Sequence, residues 1–421
     1  MTTQRLIQMA AGALALHVAD DNFIQPQPGT SAGDHLVSGL VPLAALALAV
    51  WAYPRMRAGL RALLALGLGI VGAAGAVEAV HAAATIGASG DDYTGFLSIP
   101  AALLLWGTGA AELWTSRRRE DRFPRRALRG FGGFAALYLL VFPIAVGYGF
   151  THVTRTEVPE YELGVAHEDV ELTTSDDLEL EGWYVPSRNG AAVIVYPGRA
   201  ASQDRARFLI RHGYGVLMYD RRGEGASEGD VNAYGWDFDK DIRAGVAFLK
   251  DRPDVDPGRI AGLGLSVGGE MMLQTAADTG GLAAVVSEGA GSRTYAEELE
   301  DEDTYGTGFG AWLNKPGIVL KIASMSVFSN TRAPEHLEEL VPRIAPRPAL
   351  LIWAKKDDTA TLNRKYLRAA GPTASGWEVP AGGHTGGLKA RPAEYERRVV
   401  SFLDEALRAD VPGRGTEGPP S

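Results

Sequence analysis

Hydrophobic positions change their pattern once along this chain. Up to about residue 154 they form long, nearly unbroken runs; beyond it they come in short runs separated by charged and turn-forming residues. Four of the long runs, 35–53, 62–84, 94–114 and 131–153, approach the roughly 20 residues that carry a helix across a bilayer. A shorter run, 6–19, precedes them. At ~1.5 Å of rise per residue it spans only if it continues to about Ile24, and behind Arg5 it could equally be the core of a signal peptide. The pattern predicts an all-α transmembrane bundle of four to five helices over residues 1–154.

After residue 155 the period shortens. Runs 170–173 and 178–185 alternate and are joined by Ser175-Asp176-Asp177, a hairpin signal. Run 191–196 is almost continuously apolar, as a strand buried on both faces must be. A helix over 202–212 follows, then a strand at 215–219, a helix over 236–250, a strand ending at Leu265 and a helix over 268–277. Further strands fall at 282–287, 349–353 and 377–379. Strands alternating with helices predict an α/β domain, a mostly parallel sheet with helices on both faces, over 155–410. The connection 289–346 is long for one crossover. It holds an acidic run, 297–303, and then an apolar stretch with Trp312, Ile318 and Phe328. Either a cap over a pocket or a helical decoration packed on the sheet fits that pattern. Residues 411–421 are rich in Gly and Pro and read as a disordered tail.

Charge sharpens this picture. The 421-residue chain carries a net charge of −10, but its first 154 residues hold 11 Arg, no Lys and 9 acidic residues. Arg55, Arg57 and Arg61 fill one loop between long runs, and Arg117, Arg118, Arg119, Arg122, Arg125, Arg126 and Arg129 another; the alternate loops carry aspartates. Basic loops stay cytoplasmic, so the last span leads outward and the α/β domain is expected on the extracytoplasmic side of a multi-pass protein of the cell membrane. The acidic second half argues against a nucleic-acid partner. With no cysteine in the chain, disulfides and thiolate chemistry are excluded. His17, His35, Glu78 and His81 fall near the outer face, Glu78 and His81 at i, i+3 on one helix. Such a set either binds a divalent metal or consists of helix ends solvated at the interface, with Glu78 and His81 paired in the bundle.

The candidate chemistry lies at Gly264-Leu265-Ser266-Val267-Gly268, between a predicted strand and a predicted helix. A G-x-S-x-G in that setting is a nucleophile elbow, in which small residues let strand and helix approach and a strained serine is exposed. Together with Tyr196-Pro197-Gly198-Arg199 and Asp220-Arg221-Arg222-Gly223-Glu224-Gly225-Ala226-Ser227, the elbow makes this half resemble the α/β-hydrolase superfamily over nearly its full length. Its neighbourhood is most similar to the dienelactone-hydrolase and serine-peptidase-like branches. The membrane half resembles that of predicted actinobacterial membrane-anchored hydrolases.

The resemblance implies the chain order serine, acid, histidine. Of eight histidines only His336 and His384 follow Ser266, and His384 lies in the flexible Gly382-Gly383-His384-Thr385-Gly386, whereas His336 reads as a solvated residue of the charged insertion. His384 is therefore the expected base. The acid should follow strand 349–353, where Asp357 and Asp358 stand side by side; superfamily spacing favours Asp357, with Asp358 fitting a helix N-cap, and Glu288 a rarer alternative. The backbone N–H groups of Val267 and Arg199 are the expected oxyanion donors. No cofactor is implied. The resemblance points to a serine hydrolase acting on a small-molecule or lipid-like carboxylic ester, in contact with membrane lipids. A peptidase on short peptides would use the same groups, and an inert receptor domain on a membrane module is a third reading.

Overall fold

The computed structural model describes residues 2–85, 87–88, 90–115, 123–153, 155, 163–197 and 199–408. Arg117, Arg118, Arg119 and Arg122 of the second arginine loop and the tail 411–421 lie outside them. The first half is helical. Helix α1 (Thr3–Ala19) continues through a π-helical turn, Asp20–Ile24. It is followed by α2 (Leu36–Ala52), α3 (Ala58–Thr85), the short α4 (Asp92–Gly95) and α5 (Ser98–Thr115). Helices α6 (Phe123–Ala136) and α7 (Phe142–Thr151) join through a π-helical turn, Leu137–Val141. Among the described residues four helices are long and apolar enough to cross a membrane: Leu36–Arg55, Ala58–Thr85, Asp92–Thr115 and Ala127–Thr151.

Their packing follows from small residues. Ala62, Ala65, Gly69, Gly72, Ala76 and Ala79 recur every three or four positions and are buried on one face of α3. A Cβ at Gly69 would strike the Trp106 ring, and one at Gly109 would come within 3.1 Å of Ala62 O, so α3 and α5 approach to backbone distance, as helices in lipid commonly do. The opposite faces expose Leu40, Leu48, Trp51, Leu60 and Val77. The proposed outer-face cluster is only partly assembled. Glu78 accepts a hydrogen bond from Tyr148 Oη at 2.9 Å, and His17 lies 3.4 Å from Thr94 Oγ1. His81 is instead exposed, and His35 faces Thr30 and Asp230. The expected pairing of Glu78 with His81 is thus replaced by Glu78–Tyr148, and the four residues do not converge on one point.

The second half is built on an eight-stranded sheet, β1 (Glu168–Thr173), β2 (Glu179–Val185), β3 (Ala192–Tyr196), β4 (Gly215–Tyr219), β5 (Ile260–Leu265), β6 (Ala284–Glu288), β7 (Ala349–Ala354) and β8 (Ala374–Val379), in the order β1-β2-β4-β3-β5-β6-β7-β8. Strand β2 is antiparallel to both neighbours and the rest are parallel. The covering helices are α8 (Arg199–Arg211), α9 (Asp239–Lys250), α10 (Val267–Asp278), α15 (Ala360–Ala370) and α17 (Pro392–Ala406), with a single turn, α16 (Gly387–Ala390), before the last. Alternation along β3 divides the core. Ala192, Ile194 and Tyr196 face α9, α10 and α15, while Val193 and Val195 face α8 and α17. This is the α/β-hydrolase fold.

Several boundaries depart from the pattern-based expectation: α8 begins at Arg199, three residues early, and β6 at Ala284, two residues late. Helix α9 begins at Asp239 rather than at 236, because Asp237 takes a left-handed backbone (φ 70°) and Trp236 turns into the core, donating Nε1–H to Arg293 O. Strand β8 begins at Ala374, three residues early: its outer end is polar and exposed, but it still pairs with β7. Insertion 289–346 folds as α11 (Tyr295–Glu300), α12 (Glu302–Tyr305), α13 (Phe309–Phe328) and α14 (Leu337–Leu340). Its long helix α13 lies along α7 of the first, helical half instead of only on the sheet. A Cβ at Gly147 would meet Ser324 Oγ and Lys321 O, and Phe328 packs edge-on against Tyr148 at 5.3 Å.

Candidate active site

Strand β5 delivers Ser266 to the carboxyl edge of the sheet, and α10 starts one residue later. Ser266 holds φ 52° and ψ −125°, a conformation that costs a non-glycine residue on the order of 1–3 kcal/mol. The two flanking glycines explain why it persists. A Cβ on Gly264 would collide with the backbone of Gly268, and one on Gly268 would lie 2.7 Å from Tyr196 O and 2.9 Å from Pro197 N. The turn is pinned by Ser266 N–H donating to Glu288 O at 2.8 Å.

His384 Nε2 lies 2.7 Å from Ser266 Oγ, and His384 Nδ1 lies 3.1 Å from Asp357 Oδ1. Asp358 Oδ1 is farther, at 3.9 Å, and its side chain is 67% exposed against 0% for Asp357. Burial alone would raise the Asp357 carboxyl; the His384 imidazole, the Asp358 side chain and the Thr359 N–H outweigh it and hold it at about 2. The hydrogen bond to Asp357 in turn raises the His384 pKa, and that to Asp357 raises the Asp358 carboxyl. Asp358 does not cap the following helix: Thr359 occupies the N-cap position, and its N–H donates to Asp357 Oδ1 at 3.1 Å. Asp357, Asp358 and His384 are the described group whose ligand atoms come within 4.8 Å of one another. Both ring nitrogens of His384 are engaged there, by Asp357 and Ser266.

Val267 and Arg199 each open a helix, so their N–H groups lack intrahelical acceptors and sit at the positive end of a helix dipole. Tyr196 pairs with Gly264 in adjacent parallel strands, which brings the two helix starts side by side. Gly198 and the Arg199 side chain lie outside the described residues.

Glu288, the alternative acid, points elsewhere. It accepts from Arg205 Nη2 at 2.9 Å, from Tyr395 Oη at 2.8 Å and from Gly387 N–H at 2.8 Å. Arg205 also donates to Thr385 O at 2.7 Å, so this buried ion pair grips the loop that carries His384. Arg205 escaped notice in the sequence because its partners lie 83 and 180 residues away. Glu270, one helical turn after Ser266, also went unremarked. Burial pushes its carboxyl up to about 7, and it accepts the Gly291 N–H at 2.8 Å. His336, expected to be solvated, instead precedes α14 with Nδ1 2.7 Å from Thr294 Oγ1. The Asp220–Ser227 motif is structural: Arg222 bonds Asp241 and Asp176, and Ser227 Oγ–H donates to Asp220 O.

A strained serine whose hydroxyl meets an imidazole backed by a buried carboxylate can be deprotonated and made nucleophilic. The α/β-hydrolase domain thus carries the nucleophile, base and acid arrangement of a serine hydrolase. Residues 153–379 match the model of the X-Pro dipeptidyl-peptidase (S15) family, and the chain belongs to that family. Polyketide transferase grgF of Penicillium is 37% identical over 130 residues, covering 28% of this chain and 43% of that protein. The uncharacterized protein Rv2307c of Mycobacterium tuberculosis is 39% identical over 110 residues, 24% of this chain and 38% of its own length. The chain thus spans less than half the length of both relatives. Among solved structures, the Pyrococcus furiosus esterase Pf2001 superposes with a TM-score of 0.49 at 23% identity, over 61% of this chain and 98% of the esterase.

Proposed function

We propose that this chain is a membrane-anchored serine hydrolase that cleaves a carboxylic ester on the extracytoplasmic side. The carrying observation is the relay of 2.7 Å from Ser266 Oγ to His384 Nε2 and 3.1 Å from His384 Nδ1 to Asp357. In this reading His384 takes the Ser266 proton as Oγ attacks the acyl carbon. The N–H groups of Val267 and Arg199 stabilise the oxyanion. The acyl–oxygen bond breaks, the leaving alkoxide receives the proton from His384, and an acyl-enzyme remains. Water, deprotonated by His384, then releases the acid and restores Ser266. The four spans provide the anchor, and arginine placement supports the outward orientation.

A peptidase acting on short peptides is the second reading. It is favoured by the family and by the Asp301 and Asp358 carboxyls that line the cleft beside Thr359, which suit a peptide's terminal ammonium. Labelling of intact cells with a fluorophosphonate tests the common mechanism: label on wild type and none on Ser266→Ala is expected, and equal labelling of the two refutes it. p-Nitrophenyl esters set against X-Pro p-nitroanilides then separate the readings, and turnover of the anilides alone overturns the esterase assignment.

A further inference from the structure

Helices α7 and α13 run side by side in the same direction. Gly317 faces Pro143, Gly147 faces Lys321 and Ser324, and Phe328 faces Tyr148. That register sets the first turns of α13 beside the middle of the last membrane-spanning segment, Ala127–Thr151. These turns expose Phe309 (74%), Trp312 (61%) and Leu313, with Phe309 and Trp312 stacked at 5.6 Å. In water such a patch is a liability; against the acyl chains of a leaflet it is satisfied.

Between the two helices lies a cleft of about 480 Å³. Its lining includes Leu139, Phe142 and Val146 of the spanning segment together with Ser292, Asp358 and Thr359. Thr359 N–H donates to Asp357, which bonds to His384, so the cleft adjoins the acid end of the candidate relay. From Leu139 to Phe150 the helix rises about 16 Å, roughly the depth of one leaflet of a ~30 Å hydrocarbon core. Among the described residues the one cation in its lining is compensated: Lys321 Nζ lies 2.6 Å from buried Glu298, and the hydroxyls of Tyr234 and Tyr305 donate to the same carboxylate; the carboxylates Asp301 and Asp358 also line the cleft.

We propose that this cleft is a substrate channel opening sideways into the membrane, and that the substrate is a long-chain ester lipid of the leaflet on the hydrolase side. Its chain lies between α7 and α13 while its ester passes Thr359 to reach Ser266. The proposal rests on the hydrolase reading above and adds the substrate class and its route. The insertion then acts as a fixed wall shared by membrane and enzyme, and the multi-span bundle supplies half of the binding site as well as the anchor.

The test uses the full-length protein in phosphatidylcholine vesicles, with p-nitrophenyl acetate in solution and p-nitrophenyl palmitate in the bilayer. Leu139→Trp and Val146→Trp fill the cleft; Leu48→Trp, on a lipid-exposed face of α2, is the control. The ratio of palmitate to acetate turnover is expected to fall at least tenfold in the two cleft variants and to stay within twofold in the control. An unchanged ratio in the cleft variants, or an equal fall in all three, overturns the channel. A measurement independent of turnover uses the Ser266→Ala protein in vesicles containing a phosphatidylcholine with a diazirine in its acyl chain. Crosslinks concentrated in 139–150 and 309–321 support the channel, and crosslinks spread evenly over all lipid-facing helices refute it. Absence of both ester turnover and fluorophosphonate labelling in wild type would instead overturn the hydrolase reading, with the crosslinks still deciding whether the cleft holds a lipid chain.

Discussion

Replacing Asp357 with asparagine should disable the enzyme far more than the same change at its neighbour. Asn keeps an oxygen that can accept the Thr359 N–H, so the loop geometry survives while the charge behind His384 is lost. Unit charges 3.1 Å apart attract by about 5 kcal/mol at an effective dielectric constant of ~20. The His384 side chain is 42% exposed, and water screens part of this, leaving about 3–5 kcal/mol to stabilise the imidazolium that forms as Ser266 attacks. That corresponds to a loss of roughly 10²–10⁴-fold in kcat. Asp358 is 3.9 Å away and 67% exposed, where a dielectric constant near ~80 applies and about 1 kcal/mol, less than ~10-fold, is at stake. The pH profile gives a second readout. Asp357 raises the His384 pKa, so the acid limb of kcat/KM should lie above the pH of an ordinary imidazole and move down in Asp357→Asn. The same attraction stabilises the fold below the ordinary imidazole pKa and is lost as pH rises through the raised one. Purified Asp357→Asn and Asp358→Asn proteins are to be compared by p-nitrophenyl acetate hydrolysis between pH 5 and 9. A greater loss in the Asp358 variant, or an acid limb that does not move in Asp357→Asn, refutes the assignment of Asp357.

Other expectations follow from the same geometry. Gly268→Val forces a side chain against the Tyr196–Pro197 backbone, at a cost of about 1–3 kcal/mol; a lower melting temperature with lost fluorophosphonate labelling is expected, and an unaltered protein would contradict the close approach. Glu288→Ala leaves Arg205 buried beside Tyr395 without its carboxylate, destabilising the protein by about 3–5 kcal/mol. Because the pair also holds the Thr385 carbonyl, kcat should fall as well; a change in neither stability nor rate would show the pair to be dispensable. The absence of native cysteine allows topology to be read from single introduced thiols. Glu405→Cys should react with an impermeant maleimide on intact cells and Arg57→Cys only after lysis, the reverse pattern inverting the proposed orientation.

Much of the site was legible because its chemistry is local or ordered along the chain. The elbow is five consecutive residues, and its two glycines are required by backbone contacts within the same turn and with Pro197. His384 follows from chain order among few histidines. The doubled aspartate could not be resolved from sequence, since Asp357 and Asp358 differ only in which one the loop turns inward. The loop grip was invisible for a different reason: Arg205, Glu288 and Thr385 come from α8, the end of β6 and the segment after β8, and no periodicity links them.

The sequence by itself determined the division into an apolar helical half and an α/β half, because run length and period are set by the solvent each segment must face. It also marked the candidate serine, because a strained turn demands particular residues at fixed spacing, and it pointed to His384 through the chain order that the resemblance implies. Only the tertiary structure decided which aspartate backs His384, how the Glu78–His81 pairing gives way to Glu78–Tyr148, and where the insertion goes. Burial, unlike period, is a property of the assembled molecule. An apolar stretch such as 309–328 carries no mark of which surface will cover it, and here the covering surface is α7 of the apolar helical half.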